Sequence, residues 1–565
     1  MRTLLLILFM ASPTFATSYY VDYSTGADSN AGTKLAPFKN IPQSVACSSA
    51  CATVGGSLTA GDQVILKGGV TWPMNTMGCI LLARSGSSSA DIYYGVDVTW
   101  YTGASWTRPI LTGNGITTGT CAGSSTVHNV FIVGNGGDYV TVDNWEFTDQ
   151  LMTAGTGEDD TINFYGTFLD FTIENSFFHG WTLTGSGSGS DTGLLVYYSP
   201  GNTFPHRFIV TGNVFDGYDT TQVQADPTCA SACLGSVNAF YGFATEFSKN
   251  VVRNVSNGAI GQINFVHDNL FENIRLSIDS TSHENAFENN SGCNARIYNN
   301  VIRNNSISTG IVNLWDAAVG TAGGCASGTD YVFNNLVYNT SNANIIDLGT
   351  VEGCPGSCPT PFGTTISFNN TVEAGPNGTP SGLYTPGDLH STGAQANNVH
   401  LISSTGTPFQ QGTSGANCPQ TNCTLSANRV EPYSVDCTTN GYCPSQTWPF
   451  SPTSMSSPTY GAGNNYTSLC SIDSYMANAC QDTTLAVIYS AELCTNLTCW
   501  NASAHTVTFP FRTPLNRPSV GAWDQGAYQV SSVPPVVNIP GACQVCQVTK
   551  QLQPPTNLQA VLIGN

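Results

Sequence analysis

A stripe of charged side chains is the first candidate for chemistry in this chain. An Asn (Ser176 in the first copy) followed by two mostly apolar residues recurs, and the position after them holds, in successive copies, His179, Asp216, Arg253, Glu272, Arg303, Tyr338 and Glu373. If each copy belongs to one coil of a repeat, these side chains stack one strand spacing apart on the outer wall. The stripe is then either a salt-bridge ladder or the floor of a groove with a general base and charge neutralisers. In the groove interpretation His179, Asp216 and Glu272 bind substrate.

A second set of acidic residues lies before the strand that leads into each copy. Asp160 is 13 residues before Ile173, and Glu284 is 13 residues before Ile297, so the two share a register. Clustered carboxylates can hold calcium through oxygen ligands, which makes Asp159, Asp160 and Asp191 the candidate metal ligands. Two carboxylates across a groove can instead hydrolyse a glycosidic bond. The structural alternative is that they accept hydrogen bonds from turn amides.

His283 stands beside Glu284, and a His flanked by a carboxylate can act as a general base near neutral pH. We therefore name both as catalytic candidates, with a solvated His as the alternative. Sugar rings pack on aromatic side chains, which bury large areas at little entropic cost. Trp181 and Tyr218 are the aromatic candidates for substrate binding, and filling of the interior is their alternative role.

The recurring phrase also predicts the fold. From Ser176 through Asn213, Asn250, Asn269, Asn300, Asn335 and Asn370 the steps are 37, 37, 19, 31, 35 and 35 residues. Each copy follows a β-rich stretch such as Arg296-Ile297-Tyr298. A period of this size is typical of a solenoid, in which each coil packs only on its neighbours. An Asn at the same turn of each coil can bond its amide to the coils above and below.

The composition argues against nucleic-acid binding and favours a fold made of strands. Only 9% of the 565 residues are charged, and the formal net charge is −20 with 16 Lys and Arg. Because phosphate binding needs a basic footprint, nucleic acid is not an expected partner. Short Val, Ile, Phe, Thr and Tyr runs broken by Gly and Asn favour strands and turns over helices.

The first residues and the cysteines indicate export. Residues 1–16 combine Arg2, an apolar run and a small-residue site at Thr14-Phe15-Ala16, the pattern of a secretory signal. No other segment qualifies as a membrane span. The 20 cysteines include seven tight local pairs that favour disulfides in an oxidising compartment: Cys47/Cys51, Cys229/Cys233, Cys354/Cys358, Cys418/Cys423, Cys437/Cys443, Cys494/Cys499 and Cys543/Cys546. A zinc site is the alternative for the last pair.

Two segments resemble a known superfamily. Tyr19-Tyr20-Val21-Asp22, the Gly/Asn-rich stretch at 26–33 and residues 60–69 resemble the N-terminal segment of secreted, pectate-lyase-like parallel β-helix proteins. The phrase Arg517-Pro518-Ser519-Val520-Gly521-Ala522-Trp523-Asp524-Gln525-Gly526-Ala527-Tyr528 resembles the closing motif of exported bacterial β-helix proteins. The resemblance implies a right-handed parallel β-helix capped by a strand, a turn and a short helix. We expect the first segment and the closing coil to cover the unpaired strand edges at the two ends.

The resemblance also bears on chemistry. Polygalacturonases of this fold carry an Asn-x-Asp, an Asp-Asp pair, a Gly-His-Gly and an Arg-x-Lys, and only Asp159-Asp160 matches here. Calcium-dependent lyases of this fold use acidic calcium ligands with an Arg or Lys base that removes the proton next to a uronate carboxylate. By this resemblance Arg253 and Arg303 become the preferred catalytic bases, and calcium the expected cofactor.

These observations predict an all-β, right-handed parallel β-helix with an N-terminal cap and irregular, disulfide-clipped C-terminal coils. The expected parts are a signal peptide (1–16), a cap with first coils (17–126), a central helix (127–375), final coils with the closing motif (376–530), and a linker and tail (531–565). The expected function is action on an extracellular polysaccharide, with calcium-assisted lyase chemistry first. Because fold alone does not establish activity, glycoside hydrolysis and a non-enzymatic glycan-binding or adhesin-like role remain alternatives. The assembly state, monomer or fibre, stays open.

Overall fold

The computed structural model describes the greater part of the chain between residues 16 and 538. The described residues are 16–113, 127–128, 131–134, 136–153, 158–165, 170–184, 192–198, 207–216, 237–253, 255, 257–272, 274, 285–289, 294–303, 305, 310–314, 328–339, 346–347, 362–373, 384–385, 391–402, 423–431, 442, 448–484, 500–501, 506–507, 511–530 and 537–538. Helices within them are short: two α-helices, Ser49–Gly55 and Met74–Met77, and two 3-10 helices, Thr467–Ser471 and Met476–Cys480.

Nearly all of the described strands belong to two parallel sheets. The larger contains 21 described strands: Ser18–Val21, Gln63–Gly68, Ile80–Leu82, Ile92–Tyr101, Ile132–Gly134, Val140–Asp143, Ile162–Tyr165, Asp170–Glu174, Thr192–Tyr198, Arg207–Thr211, Val237–Ser248, Asn257–His267, Asn285–Asn289, Arg296–Tyr298, Gly310–Leu314, Thr329–Phe333, Ile346–Asp347, Phe362–Phe368, Tyr384–Thr385, Ser391–Asn397 and Cys423–Ser426.

The second sheet contains 12 described strands: Thr71–Pro73, Ile110–Thr112, Glu146–Thr148, Phe177–His179, Val214–Asp216, Val251–Arg253, Leu270–Glu272, Val301–Arg303, Leu336–Tyr338, Thr371–Glu373, His400–Ile402 and Arg429–Glu431. The remaining described strands form short pairs: Leu151–Thr153 with Thr182–Thr184, Val127–His128 with Glu158–Asp159, Trp500–Asn501 with Thr506–Val507, and Phe511–Arg512 with Val537–Asn538.

Each coil consists of three strands on three faces. In one coil, Ile162–Tyr165 lies on what we call the first face, Asp170–Glu174 on the second face and Phe177–His179 on the third face. Each pairs in parallel with the matching strand of the next coil. The long strands Val237–Ser248 and Asn257–His267 run from the first face into the second and join both into the larger sheet. This architecture confirms the predicted right-handed parallel β-helix.

The core is the stack of side chains that point inward from the three faces. On the third face the middle residue of each strand points in, so Phe147, Phe178 and Phe215 stack with ring centroids 4.7 Å apart. On the second face Phe171, Ile173 and their partners in adjacent coils are similarly buried. Burying each large apolar side chain contributes about 1.5–3 kcal/mol, and a parallel register repeats that contribution in every coil.

The corner between the second and third faces contains the predicted Asn ladder. The backbone N–H of Asn213 donates to Oδ1 of Asn250 at 2.9 Å, and that of Asn250 donates to Oδ1 of Asn269 at 2.9 Å. The pattern continues through Asn300, Asn335 and Asn370, with every one of these amides buried. Each Nδ2 also donates to a carbonyl of the preceding coil, for example Asn300 to Val266 at 3.0 Å. The prediction that the amides join successive coils is confirmed.

The residue before each ladder position has left-handed backbone geometry. Its φ lies between 52° and 66° at Asn144, Asn175, Gly212, Lys249, Asp268, Asn299, Asn334, Asn369, Asn398 and Ala427. Gly, Asn and Asp tolerate this region best, which explains why they hold eight of these ten positions. The sequence pattern therefore encodes a two-residue corner: one left-handed residue, then one ladder residue.

The N-terminal cap has the predicted parts. Strand Ser18–Val21 pairs with Gln63–Gly68 of the following coil, and helix Ser49–Gly55 follows a Gly/Asn-rich turn. Asp28 fixes that turn, because its carboxylate accepts hydrogen bonds from Asn40 and Ser48 at 2.8–3.1 Å. Burial raises the pKa of Asp28, but these hydrogen bonds outweigh it and leave that pKa below its usual value.

The described residues between Tyr442 and Val530 fold back over the coils. Tyr475, Met476 and Trp523 pack in one cluster with outward rings of the second face, among them Tyr298 and Phe333. On the third face, Tyr442, Phe450, Ala527 and Tyr528 pack with the outward residues Val301, Leu336 and Ile402. The outer wall of the last coils is consequently covered on two faces by chain that follows it in sequence.

The closing motif lies along the side of the coils. Arg517 is buried and donates to Oδ1 of Asn334 at 3.0 Å, and the Gly526 N–H donates to the Asn398 carbonyl at 2.7 Å. The described residues do not include the expected cover over the last described coil. Leu425 and Val430 are the register partners of the buried Ala396 and Leu401, yet they are 43% and 41% exposed. The motif thus connects several corners along the side of the β-helix and does not cover the end of its last described coil.

Two disulfides join described residues. Cys47–Cys51, which the local pairing predicted, closes the turn before the cap helix. Cys470–Cys480, which it did not predict, joins the two 3-10 helices of the covering segment. The other six predicted pairs have at least one cysteine outside the described residues. None of the helices in the described ranges is long and apolar enough to cross a membrane.

Candidate functional site

The predicted charged stripe lies on the third face in the expected register. His179 pairs with Asp216, Asp216 with Arg253, Arg253 with Glu272, and Glu272 with Arg303 across adjacent strands. It is not an open wall, because His179, Asp216, Glu272 and Arg303 are at most 3% exposed and Arg253 is 8% exposed. The expectation of an accessible stripe is corrected by this burial, which sequence spacing alone does not encode.

The stripe forms the salt-bridge ladder that was its alternative interpretation. Arg253 lies 2.6 Å from the Asp216 carboxylate, and Arg303 lies 3.0 Å from Glu272 and 3.1 Å from the Tyr338 hydroxyl. Burial lowers the pKa of Arg303, but Tyr338 and Glu272 outweigh it and leave that pKa above its usual value. A guanidinium that holds its proton this firmly is a poor base in this conformation. The roles assigned to these residues stay predictions.

The predicted metal ligands do not meet in the described residues. Asp160 is fully buried, and its carboxylate accepts a hydrogen bond from the Asn163 amide. Asp159 pairs with His128 in a short strand, and Asp191 lies outside the described residues. Throughout the described ranges no three His, Cys, Asp or Glu side chains come together in a way that could hold a metal ion. The described acidic residues therefore do not fit the expected calcium site.

The remaining candidates divide between the core and the undescribed segments. Trp181 is 7% exposed and belongs to the hydrophobic core, which corresponds to its alternative role as a filler. Tyr218, His283 and Glu284 lie outside the described residues, so their roles stay predictions.

A different set of polar side chains lines the second face. The outward side chains of Val140–Asp143, Asp170–Glu174 and Arg207–Thr211, with Tyr93 and Asp91 beside them, form a surface that we call the acidic strip. Its members in register are Tyr93, Thr141, Thr172 and Ile209 in one row, and Asp143, Glu174 and Thr211 in the next. The signal was visible in the sequence as Val-Thr-Val-Asp at 140–143 and Phe-Thr-Ile-Glu at 171–174. In both, alternation places an acid on the outer face just before the corner.

Two carboxylates in the acidic strip are direct neighbours. Asp143 and Glu174 are register partners on adjacent parallel strands, where side chains lie about 4.8 Å apart. Asp143 accepts hydrogen bonds from the Tyr93 hydroxyl at 2.6 Å and from the Asn175 amide at 2.8 Å. Burial raises the pKa of Tyr93, and the bond to Asp143 raises it further, so the phenol keeps its proton and donates. Two hydrogen-bond donors thus hold the Asp143 carboxylate in place.

The Glu174 carboxyl has a pKa above its usual value. It is half-buried, and burial raises this pKa most; the negative charges of Asp143 and Asp91 raise it further. Two carboxyls that differ in this way can divide into a proton donor and an ionised partner. The neighbouring pair is the part of the described surface best suited to acid–base chemistry.

Arg207 and two aspartates form the wall beside this pair. The Arg207 guanidinium lies 3.0 Å from Asp170 and 2.8 Å from both oxygens of Asp91, and Thr141 donates to Asp91 at 2.7 Å. They border an open cavity of about 410 Å³, lined by Gln63, Ser88, Ser89, Ala90, Asp91, Tyr93, Thr141 and Arg207. The cavity offers carboxylate, hydroxyl and amide groups within one polar pocket.

The acidic strip ends at a buried ionic cluster. His267 lies 2.8 Å from Asp268 and 3.3 Å from Glu246, and its ring stacks on Tyr298 at 4.7 Å. Burial lowers the pKa of His267, but the hydrogen bonds and charges of Asp268 and Glu246 outweigh it and raise that pKa to about 9. Tyr475 of the covering segment stacks on Phe265 here. Beyond this point the second face is covered, so the accessible strip lies in the preceding coils.

No family model and no curated protein matches this sequence. Among solved structures the chain is similar to a rhamnogalacturonan lyase, with 14% identity, a TM-score of 0.38, and coverage of 73% of this chain and 87% of that one. It is similar to the GH136 lacto-N-biosidase from Eubacterium ramulus, with 12% identity, a TM-score of 0.37 and coverage of 74% and 68%. It is also similar to pectate lyase Pel9A, with 16% identity, a TM-score of 0.32 and coverage of 92% and 98%. At such values the likeness supports no argument about activity.

Proposed function

We propose that this protein is a carbohydrate-active enzyme that cleaves a polysaccharide bound along the acidic strip. The observation that carries the proposal is the neighbouring pair Asp143 and Glu174 on an accessible part of the second face. The strands from Ile92–Tyr101 to Arg207–Thr211 are stacked in order, so the surface extends over about 14 Å at one strand spacing per step. A straight, polar surface of this length suits an extended chain molecule.

The pair supports hydrolysis of a glycosidic bond. Glu174, whose pKa is raised by burial and by neighbouring acids, would protonate the leaving oxygen. Asp143, held by Tyr93 and Asn175, would act as the ionised partner. Carboxyl groups about 5–5.5 Å apart are typical of retaining enzymes, whereas inverting enzymes need a wider gap. Because the two residues are in register on adjacent strands, we expect retention of anomeric configuration, which NMR of the first product would show.

Calcium-assisted elimination, the first expectation from the sequence, has less support. It needs a base next to a uronate carboxylate, and Arg253 and Arg303 are buried in ion pairs. The described acidic residues do not assemble a calcium site. The extracellular location remains part of the proposal, supported by the leader-like first residues and the disulfide Cys47–Cys51.

The test is a polysaccharide panel with purified protein, assayed for reducing ends and for the absorbance of unsaturated uronates, in calcium and in chelator. We expect reducing ends without unsaturation and without a need for calcium. Glu174→Gln and Asp143→Asn should each lower the rate at least about 100-fold, the usual effect of removing an acid–base group. Asp97→Asn is the matched control. Asp97 lies on the same strand as Tyr93 but outside the strip, and it forms an ion pair with Lys34.

Three results would contradict the proposal. Unsaturated products that disappear with chelator would establish a lyase. Unchanged rates in both strip variants would place the chemistry elsewhere. Binding to a glycan without cleavage would establish the non-enzymatic alternative.

A further inference from the structure

The acidic strip also restricts the charge of its ligand, an inference that rests on the proposed function. Along its accessible coils the second face carries four carboxylates, Asp91, Asp143, Glu174 and the buried Asp170. The positive groups described beside them are Arg207 and the buried Arg108. Glu246 and Asp268 belong to the buried cluster with His267 at the end of the strip. Arg207 is held by Asp91 and Asp170, and His267 by Asp268 and Glu246. The balance on this face is therefore negative.

Most positive groups elsewhere in the described residues are already engaged. Of the 16 Lys and Arg residues of the chain, 13 lie in the described residues, and Arg2, Arg275 and Lys550 lie outside them. Most of the described ones are ion-paired with an acid, as in Lys34–Asp97, Lys67–Asp22, Arg253–Asp216, Arg296–Asp473, Arg303–Glu272, Arg429–Glu431 and Arg512–Asp482. Arg108 and Arg517 are buried. Lys39, Arg84 and Lys249 are exposed, Lys39 over the Tyr23 ring and Lys249 at the corner beyond Thr211.

A polyuronate would meet unfavourable electrostatics on this surface. Such a chain carries a carboxylate on every ring, and like charges within a few ångströms repel each other even at a protein surface. Calcium could bridge the two sets of carboxylates, but the described residues offer no group of three ligands for it. The polar groups that remain, Tyr93, Thr141, Thr172 and the carboxylates themselves, are suited to accept or donate hydrogen bonds to sugar hydroxyls.

We propose that the acidic strip binds a glycan without carboxylates, built from neutral or amino sugars. Hydroxyl groups would donate to Asp91 and Asp143, and a sugar ammonium group would gain from the negative field. The strip would bind uronate polymers more weakly than uncharged ones because its carboxylates repel theirs.

Matched pairs of polymers test this inference by binding rather than by cleavage. Polygalacturonate and its carboxyl-reduced derivative share linkages and differ in charge, and chitosan and chitin oligosaccharides form a second pair. Affinity electrophoresis and calorimetry at low temperature, with and without calcium, would be run with the full chain. We expect binding of carboxyl-reduced or amino-sugar polymers at least tenfold tighter than of polygalacturonate, with no effect of calcium. Binding of chitosan should weaken with salt.

A variant that adds a positive charge tests whether charge repulsion causes the selectivity. Thr211 is the register partner of Glu174 on the next strand, so Thr211→Lys places a cation beside the carboxylate pair. We expect it to strengthen polygalacturonate binding roughly three- to tenfold at low salt. Thr99→Lys, at an exposed position outside the strip, should change nothing.

The outcomes separate this inference from the proposed function. Binding of a non-uronate glycan without cleavage would overturn the hydrolase and leave the inference standing. Hydrolysis of a polyuronate would overturn the inference and leave the proposed hydrolase standing. Preferred binding of polyuronates, with or without calcium, would overturn the inference, and so would a lack of binding to every polymer tested.

Discussion

A carboxyl group that holds its proton above the usual pH range needs a physical cause, and Glu174 has two. It is half-buried at the second face, and two other acids, Asp143 and Asp91, lie near enough to raise its pKa. Asp143 accepts hydrogen bonds from Tyr93 and Asn175. The difference between the two carboxyls therefore follows from their partners rather than from their residue types.

This difference predicts a shift in the pH profile. If Glu174 is the proton donor, the rate falls as pH rises through its pKa, which lies above the usual value. Asp91→Asn removes one of the negative charges that raise that pKa and frees Arg207, and both changes favour the ionised carboxyl. The alkaline limb of kcat/KM should therefore move to lower pH, whereas Asp97→Asn should leave it in place. A limb that stays fixed in Asp91→Asn would exclude Glu174 as the group that titrates.

The corner residues predict a stabilising substitution. Lys249 has a φ of 56°, where most equivalent corners hold Asn, Asp or Gly, and a left-handed conformation costs most residues about 1–2 kcal/mol. Because Lys249 is exposed, Lys249→Asn should increase the free energy of unfolding by up to about 1 kcal/mol. Denaturant titration would measure it, with Lys249→Ala as the control that keeps the strain. A loss of stability in Lys249→Asn would show that the Lys side chain contributes more than the strain costs.

At the scale of elements, the stripe on the third face is a structural ladder that ties strands together. Burial raises the pKa of Glu272, and although Arg303 and Arg253 oppose this, the net direction is upward. A buried charge of this kind depends on its partner. The alternation of acids and bases from Asp216 to Arg303 consequently satisfies the charges of four successive coils.

Arg303→Met should therefore destabilise the protein strongly. Removing one partner of a buried ion pair typically costs about 3–5 kcal/mol, and Glu272 is 1% exposed. The double variant Glu272→Leu/Arg303→Met should recover a large part of that loss in thermal and denaturant unfolding. Arg429→Met is the control, because its pair with Glu431 is partly exposed and should contribute about 1 kcal/mol or less. Equal losses in the single and double variants would mean that the pair does not act as a unit.

At the scale of the whole molecule, the closing motif couples coils that are distant along the stack. A solenoid is otherwise stabilised mainly between neighbouring coils. Arg517 contacts Asn334, Gly526 bonds Asn398, and Asn369 donates to the carbonyls of Asp524 and Gly526. The motif thus connects three successive corners at the C-terminal part of the helix.

Arg517→Met should loosen those coils selectively. We expect faster amide hydrogen exchange in strands Thr329–Phe333, Phe362–Phe368 and Ser391–Asn397, and unchanged exchange in Ile92–Tyr101 and Val140–Asp143. Exchange mass spectrometry resolves such regions, since local opening has its own free energy. Uniformly faster exchange along the chain would show instead that the helix unfolds as one cooperative unit.

The fold was accessible from the sequence because its pattern is local. The two-residue corner repeats in every coil, so Asn213 and its successors mark both the period and the register. Asp143 and Glu174 were not among the predicted site residues, because the repeated phrase points to the residues after the corner, such as Asp216, whereas these two acids precede it. The burial of Arg303 could not be predicted, since the residues that cover the third face, from Tyr442 to Tyr528, lie about 140 to 225 residues away in sequence.

The corner with its Asn ladder has a consequence for how such a protein can change in length. Every coil presents the same hydrogen-bonding edge to the next one, so a coil could be duplicated or deleted between two ladder positions without altering its neighbours. The last described coil leaves Leu425 and Val430 exposed, so it still presents an apolar surface on which a further coil could pack. The reach of the surface along the helix axis is therefore a variable that evolution can adjust in single steps of one strand spacing, independently of the chemistry at any one coil.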